Sequence, residues 1–449
     1  MNCSIMHQYT PFVQHLDTLF FAASKSPVEH KGEIERATNG LAKRQLNQLV
    51  SRDSRREGGV FFTDCDVASV AAKFLKPLIR RGAMVCDPCC GAGDLLLACS
   101  NFMQTKSGLR STLLAWEKQL SGLDIHSSFS EATRLRLALR CIERTGGSLR
   151  KPIRPKHLFP QVKTQSCFAA PELIQQSDAV IINPPFFKTA APANCRWASG
   201  SVNSAAIVLA HVVSEMAMGA RLVAILPDVL RSGTRYESWR DLICNSISIQ
   251  QVKLLNQFDP QTDIHVFLLV GRKTASNSKL KKSITKFAGK THKGRTVDEL
   301  FSVSVGKIVD YREPHKGQWQ PYVKAKGLPS WSKVRDCFPS RRCAKAGVKP
   351  PFVVVKRTSR PEDPQRAVAT IICGKRPVAV ENHLLVFEPR DGKLRSCVRL
   401  LEVLKAPTTS NYLNQQIRCR HLTVSSVKAI PWVVPNSETT SNGPISVRN

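Results

Sequence analysis

The chain has 449 residues, of which 42% are apolar, so it can bury a sizeable core and a wholly disordered protein is excluded. Its 66 Lys and Arg outnumber its 34 Asp and Glu, which gives a net charge of +32. This excess predicts a polyanionic partner, with nucleic acid favoured over an anionic membrane surface. The sequence contains no run of 18 apolar residues, and we therefore expect no membrane-spanning helix.

The cysteine content favours reduced thiols. The 15 cysteines are odd in number, and the N-terminal segment lacks the basic and apolar blocks of a signal peptide. Both observations predict a cytoplasmic location. Cys86 and Cys89 form a C-x-x-C pair, but no second pair follows at the spacing of a zinc site, so we expect structural cysteines and no metal.

Apolar spacing predicts an α/β organisation. Residues 33–50 are predicted as one helix despite an internal glycine, and from residue 83 short apolar strands alternate with helices. The predicted strands are AMVCDP, SGLDIH, SDAVIINPPF and ARLVAILP, with VKLLNQF and HVFLLVGR as a closing pair. This alternation is typical of a doubly wound parallel sheet covered on both faces, in which ligands bind beyond the carboxyl ends of the strands.

A glycine turn follows the first of these strands. Asp87 ends the strand, and Gly91 and Gly93 allow a tight turn and the close approach of a ligand. Asp124 ends the next strand, where its carboxylate could accept both hydroxyls of the ribose in an adenosine-containing cofactor. Leu96 occupies the third glycine position of a dinucleotide-binding fingerprint and no Gly-Lys-Ser/Thr follows, so neither that fingerprint nor a P-loop is present.

The most specific motif is Asn183-Pro184-Pro185-Phe186. Two prolines directly after a buried strand end the strand and stiffen the turn. The Asn183 side-chain oxygen and the Pro184 carbonyl could accept the two N–H groups of an exocyclic amine, which would make its nitrogen more nucleophilic, and Phe186 could stack on the base. Catalysis would then come from positioning and electrostatics, without a titratable general base.

These segments resemble motifs of adenine-N6 DNA methyltransferases. DPCCGAGDLL resembles their motif I, NPPF resembles motif IV, and Gly59-Val60-Phe61-Phe62-Thr63 resembles motif X. The order of the motifs, with a basic part last, is that of the gamma class. The resemblance implies a class I methyltransferase fold with a Rossmann-like doubly wound sheet, S-adenosylmethionine as the cofactor and double-stranded DNA as the partner. It further implies catalytic contacts from Asn183, Pro184, Pro185 and Phe186, and cofactor contacts from Phe61, Phe62, Thr63, Asp87, Gly91, Gly93 and Asp124.

The C-terminal part carries most of the positive charge. Residues 271–449 hold a net +23 and residues 1–270 a net +9. The stretch 271–297, with nine basic residues and no acid, is interpreted as a solvated linker that also neutralises phosphates. The lysines expected to contact DNA there are Lys279, Lys281 and Lys282.

A second, weaker resemblance covers roughly residues 350–435. The segments VKRTS, ENHLLVFEP and RHLTVSSVKAIPWVVP are similar to the tail of PstI-type modification methylases. This similarity implies a restriction–modification enzyme or a relative of one, with a cognate endonuclease as a candidate partner. The DNA contacts it implies are Lys356, Arg357, Arg360, His383, Arg420 and His421.

We therefore predict five regions along the chain. They are an N-terminal helical segment (1–45), a catalytic domain (46–275), a basic DNA-contacting linker (276–345), a target-recognition domain (346–435) and a disordered tail (436–449).

Two positions depart from the family pattern. Asp64 stands where a proline usually follows the Phe-Phe-Thr segment, and Gln165 or Ser166 stands where an acidic residue usually contacts the adenine of the cofactor. These departures leave open a DNA-binding relative that lacks activity. An RNA adenine-N6 methyltransferase is the other alternative, and motif X and the C-terminal segments favour DNA over it. Enzymes that methylate glutamine in release factors share similar turns, but they lack a large basic C-terminal domain.

Overall fold

The computed structural model divides the chain into two compact units. The first comprises Met1–Arg231 and Arg235–Phe287, and the second comprises Ser232–Thr234 and Ala288–Asn449. The predicted DNA contacts Lys279, Lys281 and Lys282 and the predicted tail lie outside the described residues. The structure describes residues 2–149, 153–257, 264–275, 287, 294–335 and 338–434.

A seven-stranded sheet forms the centre of the first unit. Along residues 2–275 the strands are β1 Val85–Asp87, β2 Leu120–Asp124, β3 Val162–Thr164, β4 Ala179–Ile182, β5 Lys188–Ala190, β6 Ser201–Asn203, β7 Arg221–Pro227, β8 Ile247–Gln257 and β9 His265–Lys273. The helices are α1 Asn2–Ala23, α2 Lys31–Thr38, α3 Leu41–Leu49, α4 Arg52–Gly58, α5 Cys65–Lys73, α6 Lys76–Ile79, α7 Asp94–Ser100, α8 Leu109–Glu117, α9 Ser127–Thr145, α10 Glu172–Gln175, α11 Ser204–Glu215, α12 Asp228–Ser232 and α13 Glu237–Ser246.

The strand order confirms the predicted fold class. The large sheet runs β3-β2-β1-β4-β7-β9-β8, and β9 is antiparallel to both of its neighbours. The strands from β3 to β7 pair in parallel, and every residue of β4 is buried, as expected for a parallel sheet covered on both faces. This is the doubly wound sheet, closed by a reversed hairpin, that the resemblance to class I methyltransferases implies.

The direction of the chain reverses between β1 and β4, which creates a crevice at their carboxyl ends. From β1 the chain moves outward through β2 to β3, then returns to β4 on the other side of β1. Asp87 is the last residue of β1, and Asn183 follows β4 directly. The two special turns of the sequence therefore lie beside the same crevice, where ligands bind in sheets of this kind.

The prediction of one helix over residues 33–50 is wrong. The structure has two helices, α2 and α3, separated at Gly40, which adopts a left-handed backbone conformation with φ of 75°. Glycine enters this region without the steric cost that other residues meet. The resulting bend lets Ile34 of α2 and Leu46 of α3 both reach the core, where each is 1% exposed.

The second unit is built on two smaller sheets. Its strands are β10 Phe301–Val305, β11 Gln318–Val323, β12 Lys333–Arg335, β13 Ser340–Cys343, β14 Phe352–Lys356, β15 Ala369–Cys373, β16 Ala379–Val380 and β17 Leu384–Pro389. Its helices are α14 Val297–Leu300, α15 Leu394–Lys405, α16 Pro407–Gln416 and α17 Val424–Lys428. The strand orders are β10-β17-β14-β15-β12 and β13-β11-β16, and the inner strands of the larger sheet are almost entirely buried.

A buried ion pair connects the glycine turn to the N-terminal helices. Arg136 of α9 is fully buried and lies 2.9 Å from a carboxylate oxygen of Asp94, at the start of α7. The same guanidinium donates hydrogen bonds to the carbonyl of Ala92 in the glycine turn and, over 2.9 Å, to the carbonyl of Ala37 in α2. One side chain thus fixes three separate segments around the first turn.

Replacing Arg136 with Met should destabilise the first unit by about 3–5 kcal/mol, because the Asp94 carboxylate would remain buried without its partner. Urea unfolding followed by circular dichroism measures this change. The double replacement Arg136→Met with Asp94→Leu should be much less harmful, since both charges are removed. The exposed Arg110→Met serves as the control and should change stability by no more than about 0.5 kcal/mol. If the single and double variants were destabilised equally, the unpaired Asp94 carboxylate could not be the cause of the destabilisation.

Candidate functional site

The two glycines of the turn after β1 leave space for their neighbours. Gly91 and Gly93 have φ of 52° and 88°. A Cβ at Gly91 would lie 3.0 Å from the ring of Phe62, and one at Gly93 would lie 2.9 Å from Thr133 of α9. Gly91 therefore lets an aromatic ring lie against the turn, and Gly93 lets a helix pack beneath it.

Asp124, at the end of β2, faces the turn. Its carboxylate accepts hydrogen bonds from the backbone N–H of Gly91 at 3.0 Å and of His126 at 2.8 Å. Burial raises the pKa of Asp124 to about 6, and these hydrogen bonds oppose the rise. Each carboxylate oxygen retains acceptor capacity for further donors, such as the hydroxyls of a ribose.

Asp87 is almost completely buried, at 1% exposure, and lies behind the cavity wall. It accepts one hydrogen bond, from the backbone N–H of Cys89 at 3.1 Å. Burial raises its pKa well above the usual range, and the carboxylates of Asp124 and Asp94 raise it further.

These residues surround a cavity of about 610 Å³ in the first unit, a volume within the range of about 300–1,000 Å³ usual for ligand sites. Phe62, Gly91, Asp124 and Asn183 line it, which brings both predicted turns and motif X into one site. A carboxylate that can accept the hydroxyls of a ribose and a turn whose glycines allow close approach together fit S-adenosylmethionine.

Two apolar side chains of this cavity were not predicted from the sequence. Ile125 and Phe168 line the cavity and are 55% and 49% exposed, so they offer flat apolar surface to a ligand ring. The ring of Phe168 packs on His211, with 4.5 Å between the ring centres. The Ser166 hydroxyl accepts a hydrogen bond from the backbone N–H of Phe168 at 3.3 Å. Ser166, one of the two departures from the family pattern, thus fixes the turn that presents Phe168.

Asn183 is held by the segment that resembles motif X. Its amide nitrogen donates to the Thr63 hydroxyl at 2.9 Å and to the Phe61 carbonyl at 3.5 Å. Because a carbonyl can only accept, this contact identifies the nitrogen end of the amide. Thr63, predicted to hold the cofactor, contacts Asn183 here and is absent from the cavity lining, whereas Phe62 lines the cavity.

The opposite end of the Asn183 amide has no partner. Its oxygen is buried and accepts no hydrogen bond from the described residues. Nor does the carbonyl of Pro184 accept one from them. A buried acceptor without a donor destabilises the protein by about 1–3 kcal/mol. A ligand that donates hydrogen bonds to these two oxygens would remove that cost.

The aromatic residues of this turn are in different environments. Phe186, predicted to stack on a base, is 7% exposed and packs in the core, whereas Phe187 lines the cavity. Ser204 of α11 fastens the turn, since its hydroxyl accepts from the Phe187 N–H at 3.0 Å and donates to the Pro185 carbonyl. The prolines and Ser204 together make this edge of the cavity rigid.

Asp64, the other departure from the family pattern, has a local structural role. It is the N-cap of α5, where its side chain accepts from the backbone N–H of Asp66 at 3.1 Å. It also forms an ion pair with Lys43 at 3.4 Å. A capping carboxylate is favoured at a helix start, so this residue replaces the usual proline without disturbing the site.

In the second unit, four of the predicted DNA contacts lie together. Arg357 donates its backbone N–H to the carbonyl of His383 at 3.0 Å, and its own carbonyl accepts from Leu422 at 2.8 Å. The pKa of His421 is lowered by partial burial and by the neighbouring Arg357, His383 and Arg420. His383, Arg420 and His421 are exposed, so this cluster presents positive charge to solvent.

Arg366 supports this cluster from inside the second unit. It is fully buried, and its guanidinium donates to the Ser359 hydroxyl at 3.0 Å and to the Cys419 carbonyl at 3.0 Å. It thereby fixes the two segments that carry the cluster. Of the other predicted contacts, Lys356 is half-buried at the end of β14 and Arg360 is exposed.

Membrane spans and metal clusters are both absent from the described residues. No helix there has the length and apolar character needed to cross a membrane. No group of three or more His, Cys, Asp or Glu side chains in those parts of the chain could hold a metal ion.

Comparison with known families identifies the chain. Residues 45–319, more than half of its length, match the family model described as N-6 DNA Methylase. The chain therefore belongs to the N-6 DNA methylase family, and this membership implies S-adenosylmethionine as the cofactor, as predicted. No curated protein shows significant similarity to the chain.

Solved structures of restriction enzymes resemble the chain at low sequence identity. The type IIL restriction-modification enzyme MmeI, solved in complex with DNA, is 12% identical with a TM-score of 0.50, over 89% of this chain and 72% of that one. The type IIG restriction endonuclease BpuSI is 13% identical with a TM-score of 0.44, over 86% of this chain and 60% of that one. The chain thus spans about 60% of the length of BpuSI.

The raised pKa of Asp124 predicts how cofactor binding depends on pH. Ribose hydroxyls donate to the ionised carboxylate, so cofactor affinity should be constant well above pH 6 and should fall up to about tenfold per unit below it. Calorimetric titration with S-adenosylmethionine measures this profile. Asp124→Asn should bind about 10–100-fold more weakly at pH 8 and should no longer show the fall near pH 6. An unchanged profile in that variant would refute the ribose contact.

Proposed function

We propose that this member of the N-6 DNA methylase family transfers a methyl group from S-adenosylmethionine to N6 of adenine in double-stranded DNA. We further propose that it is a gamma-class enzyme that belongs to, or is related to, a restriction–modification system, with a cognate endonuclease as a candidate partner. The observation that carries the proposal is a pair of acceptors without a donor among the described residues, Asn183 Oδ1 and the Pro184 carbonyl, in the turn whose residues Asn183 and Pro185 line the cavity.

The chemistry follows from what these acceptors do to an aromatic amine. The lone pair of adenine N6 is conjugated with the ring, which makes the nitrogen a poor nucleophile. If its two N–H groups donate to Asn183 and Pro184, the nitrogen can become pyramidal and direct its lone pair at the methyl carbon. The cofactor, when bound, supplies that methyl group on a sulfonium. The N–C bond forms as the C–S bond breaks, and one N6 proton is released.

Rigidity of the acceptors makes this arrangement effective. Thr63 fixes the amide of Asn183, and the prolines and Ser204 fix the turn, so little reorganisation is needed when the base arrives. An adenine inside a duplex cannot reach the cavity, and the target base must therefore be flipped out. The motif assigns stacking on the flipped base to Phe186, but Phe187 is the aromatic residue in the cavity wall and can supply that surface.

DNA as the substrate is supported by charge. The second unit holds most of the positive excess, and its cluster of Arg357, His383, Arg420 and His421 is suited to contact a duplex. MmeI, which shares the fold, was solved in complex with DNA. The structural roles of Asp64 and Ser166 also weaken the alternative of an inactive relative, because neither departure disrupts the cavity.

Asn183→Ala should lower the methyl-transfer rate by about 10²–10³ and leave cofactor affinity nearly unchanged, since the deleted group acts on the substrate amine. Transfer of a labelled methyl group to duplex DNA measures the rate, and calorimetry measures the affinity. Asn183→Asp, which keeps a side-chain oxygen that can accept a hydrogen bond at this position, should retain much of the activity. Full activity in the alanine variant would show that the catalytic assignment is incorrect.

We expect different residues of the C-terminal part to contact the phosphates and the bases of DNA. Neutralising Lys279, Lys281 and Lys282 together should flatten the dependence of DNA affinity on salt, without changing the methylated sequence. The log–log slope should change by about 0.9 for each phosphate that is no longer neutralised. His383→Gln and Arg420→Gln should instead alter the methylated sequence. Salt titrations and sequencing of methylated sites test both halves. If the lysine variant methylated a different sequence and its log–log dependence on salt were unchanged, the assignment of phosphate contacts to the lysines would be wrong.

A further inference from the structure

The second unit carries an exposed aromatic and basic segment that lies within the predicted DNA-contacting region (276–345) but in which no contact residue has been assigned. We call residues 310–319, together with Arg342, the prong. From Tyr311 to Trp319 every residue except Glu313 is exposed, and the side chains of Tyr311 and Trp319 are 78% and 67% exposed. Large aromatic side chains this accessible are candidates for contact with a partner.

Each of the two rings is paired with an arginine. Trp319 of β11 lies directly opposite Arg342 of β13 in the antiparallel register, and the guanidinium is 5.6 Å from the centre of the indole ring. The guanidinium of Arg312 lies 5.2 Å from the centre of the Tyr311 ring. The prong therefore presents aromatic faces and positive charge at the same places.

The negative charges of the prong are already neutralised. Asp310 pairs with Lys324 at 2.8 Å and with Arg341, and Glu313 pairs with Lys345. Arg312, Lys316 and Arg342 have no carboxylate partner among the described residues. These three cations are therefore available to an anion.

The prong is held against the edge of its sheet. Gly317 has φ of 99°, and a Cβ there would lie 2.4 Å from the carbonyl oxygen of Cys343 in β13. Only glycine permits this approach, which brings the segment back onto the strand that carries Arg342. The position of Trp319 is thus set by backbone packing, although its ring is exposed.

We infer that the prong is a DNA-contacting element in which Trp319 stacks on a nucleobase while Arg312, Lys316 and Arg342 contact phosphates. A base that is unstacked offers a π face, and aromatic side chains beside cations bind such a base through stacking and charge together. The flipping of a target base unstacks the duplex locally and makes such a contact possible. The inference rests on the proposed function in taking DNA as the partner. It adds a stacking contact outside the catalytic cavity and outside the cluster around Arg357.

Salt separates the two kinds of contact in a binding experiment on the full chain. With a fluorescent duplex and anisotropy as the readout, Trp319→Ala should weaken binding about tenfold at every salt concentration and leave the log–log slope unchanged. Trp319→Phe should retain most of the affinity. Arg342→Gln should reduce the slope by about 0.9, the value expected for one phosphate contact.

Phe21→Ala is the matched control, because Phe21 in α1 is also exposed, at 50%, and has Lys25 4.0 Å from its ring centre. It should leave DNA affinity unchanged. Unaltered binding by Trp319→Ala, or an equal weakening in the Phe21 control, would overturn the inference.

Methyl-transfer assays with the same duplex separate this test from the proposed function. If Trp319→Ala weakens binding but the wild type transfers no methyl group, the role of the prong is supported and the proposed function is refuted. If Trp319→Ala binds normally and the wild type transfers methyl groups, the role of the prong is refuted and the proposed function is supported.

Discussion

The buried guanidinium of Arg136 is the contact on which the cofactor site depends. It holds Asp94 at the start of α7, the carbonyl of Ala92 within the glycine turn and the carbonyl of Ala37 in α2. The first turn of the sheet therefore has its geometry set by residues far apart in the sequence. The same contact keeps the buried carboxylate of Asp94 paired beside that turn.

Under the proposed function, different groups of the site serve different parts of its two ligands. Asp124 would accept hydrogen bonds from hydroxyls of the cofactor, and the Asn183 oxygen and the Pro184 carbonyl would accept them from the amine of the base. The division explains how a cavity whose described residues supply no metal cluster could still perform a group transfer, through preorganised dipoles and charges.

The sequence predicted those parts of the site that depend on local chain geometry. The glycine turn, the Asn-Pro-Pro turn and the strand that ends at Asp124 are short segments, and the sheet brings them together because parallel strands share one carboxyl edge. The break at Gly40 was missed because the apolar spacing continues across it, and only the backbone conformation of the glycine interrupts the helix. Ile125 and Phe168 were missed for another reason. Exposed apolar residues in turns leave no periodic signal, and only their position next to Asp124 and Ser166 indicated them.

The contact between Thr63 and Asn183 connects two motifs that lie far apart in the sequence. Motif X stands about 120 residues before the catalytic turn, yet in the fold it fixes the amide of Asn183 through one hydrogen bond of 2.9 Å. The same segment places Phe62 against Gly91. Motif X therefore contacts the glycine turn through Phe62 and the Asn-Pro-Pro turn through Thr63. Under the proposed function, this one short segment would set the spacing between the methyl donor and the acceptors. That spacing matters for an in-line transfer, because the reacting atoms must lie about 3–3.5 Å apart and a misplacement of about 1 Å can lower the rate about 10²-fold. The replacement of the usual proline by Asp64 leaves this arrangement intact, since capping α5 anchors the segment from its other end.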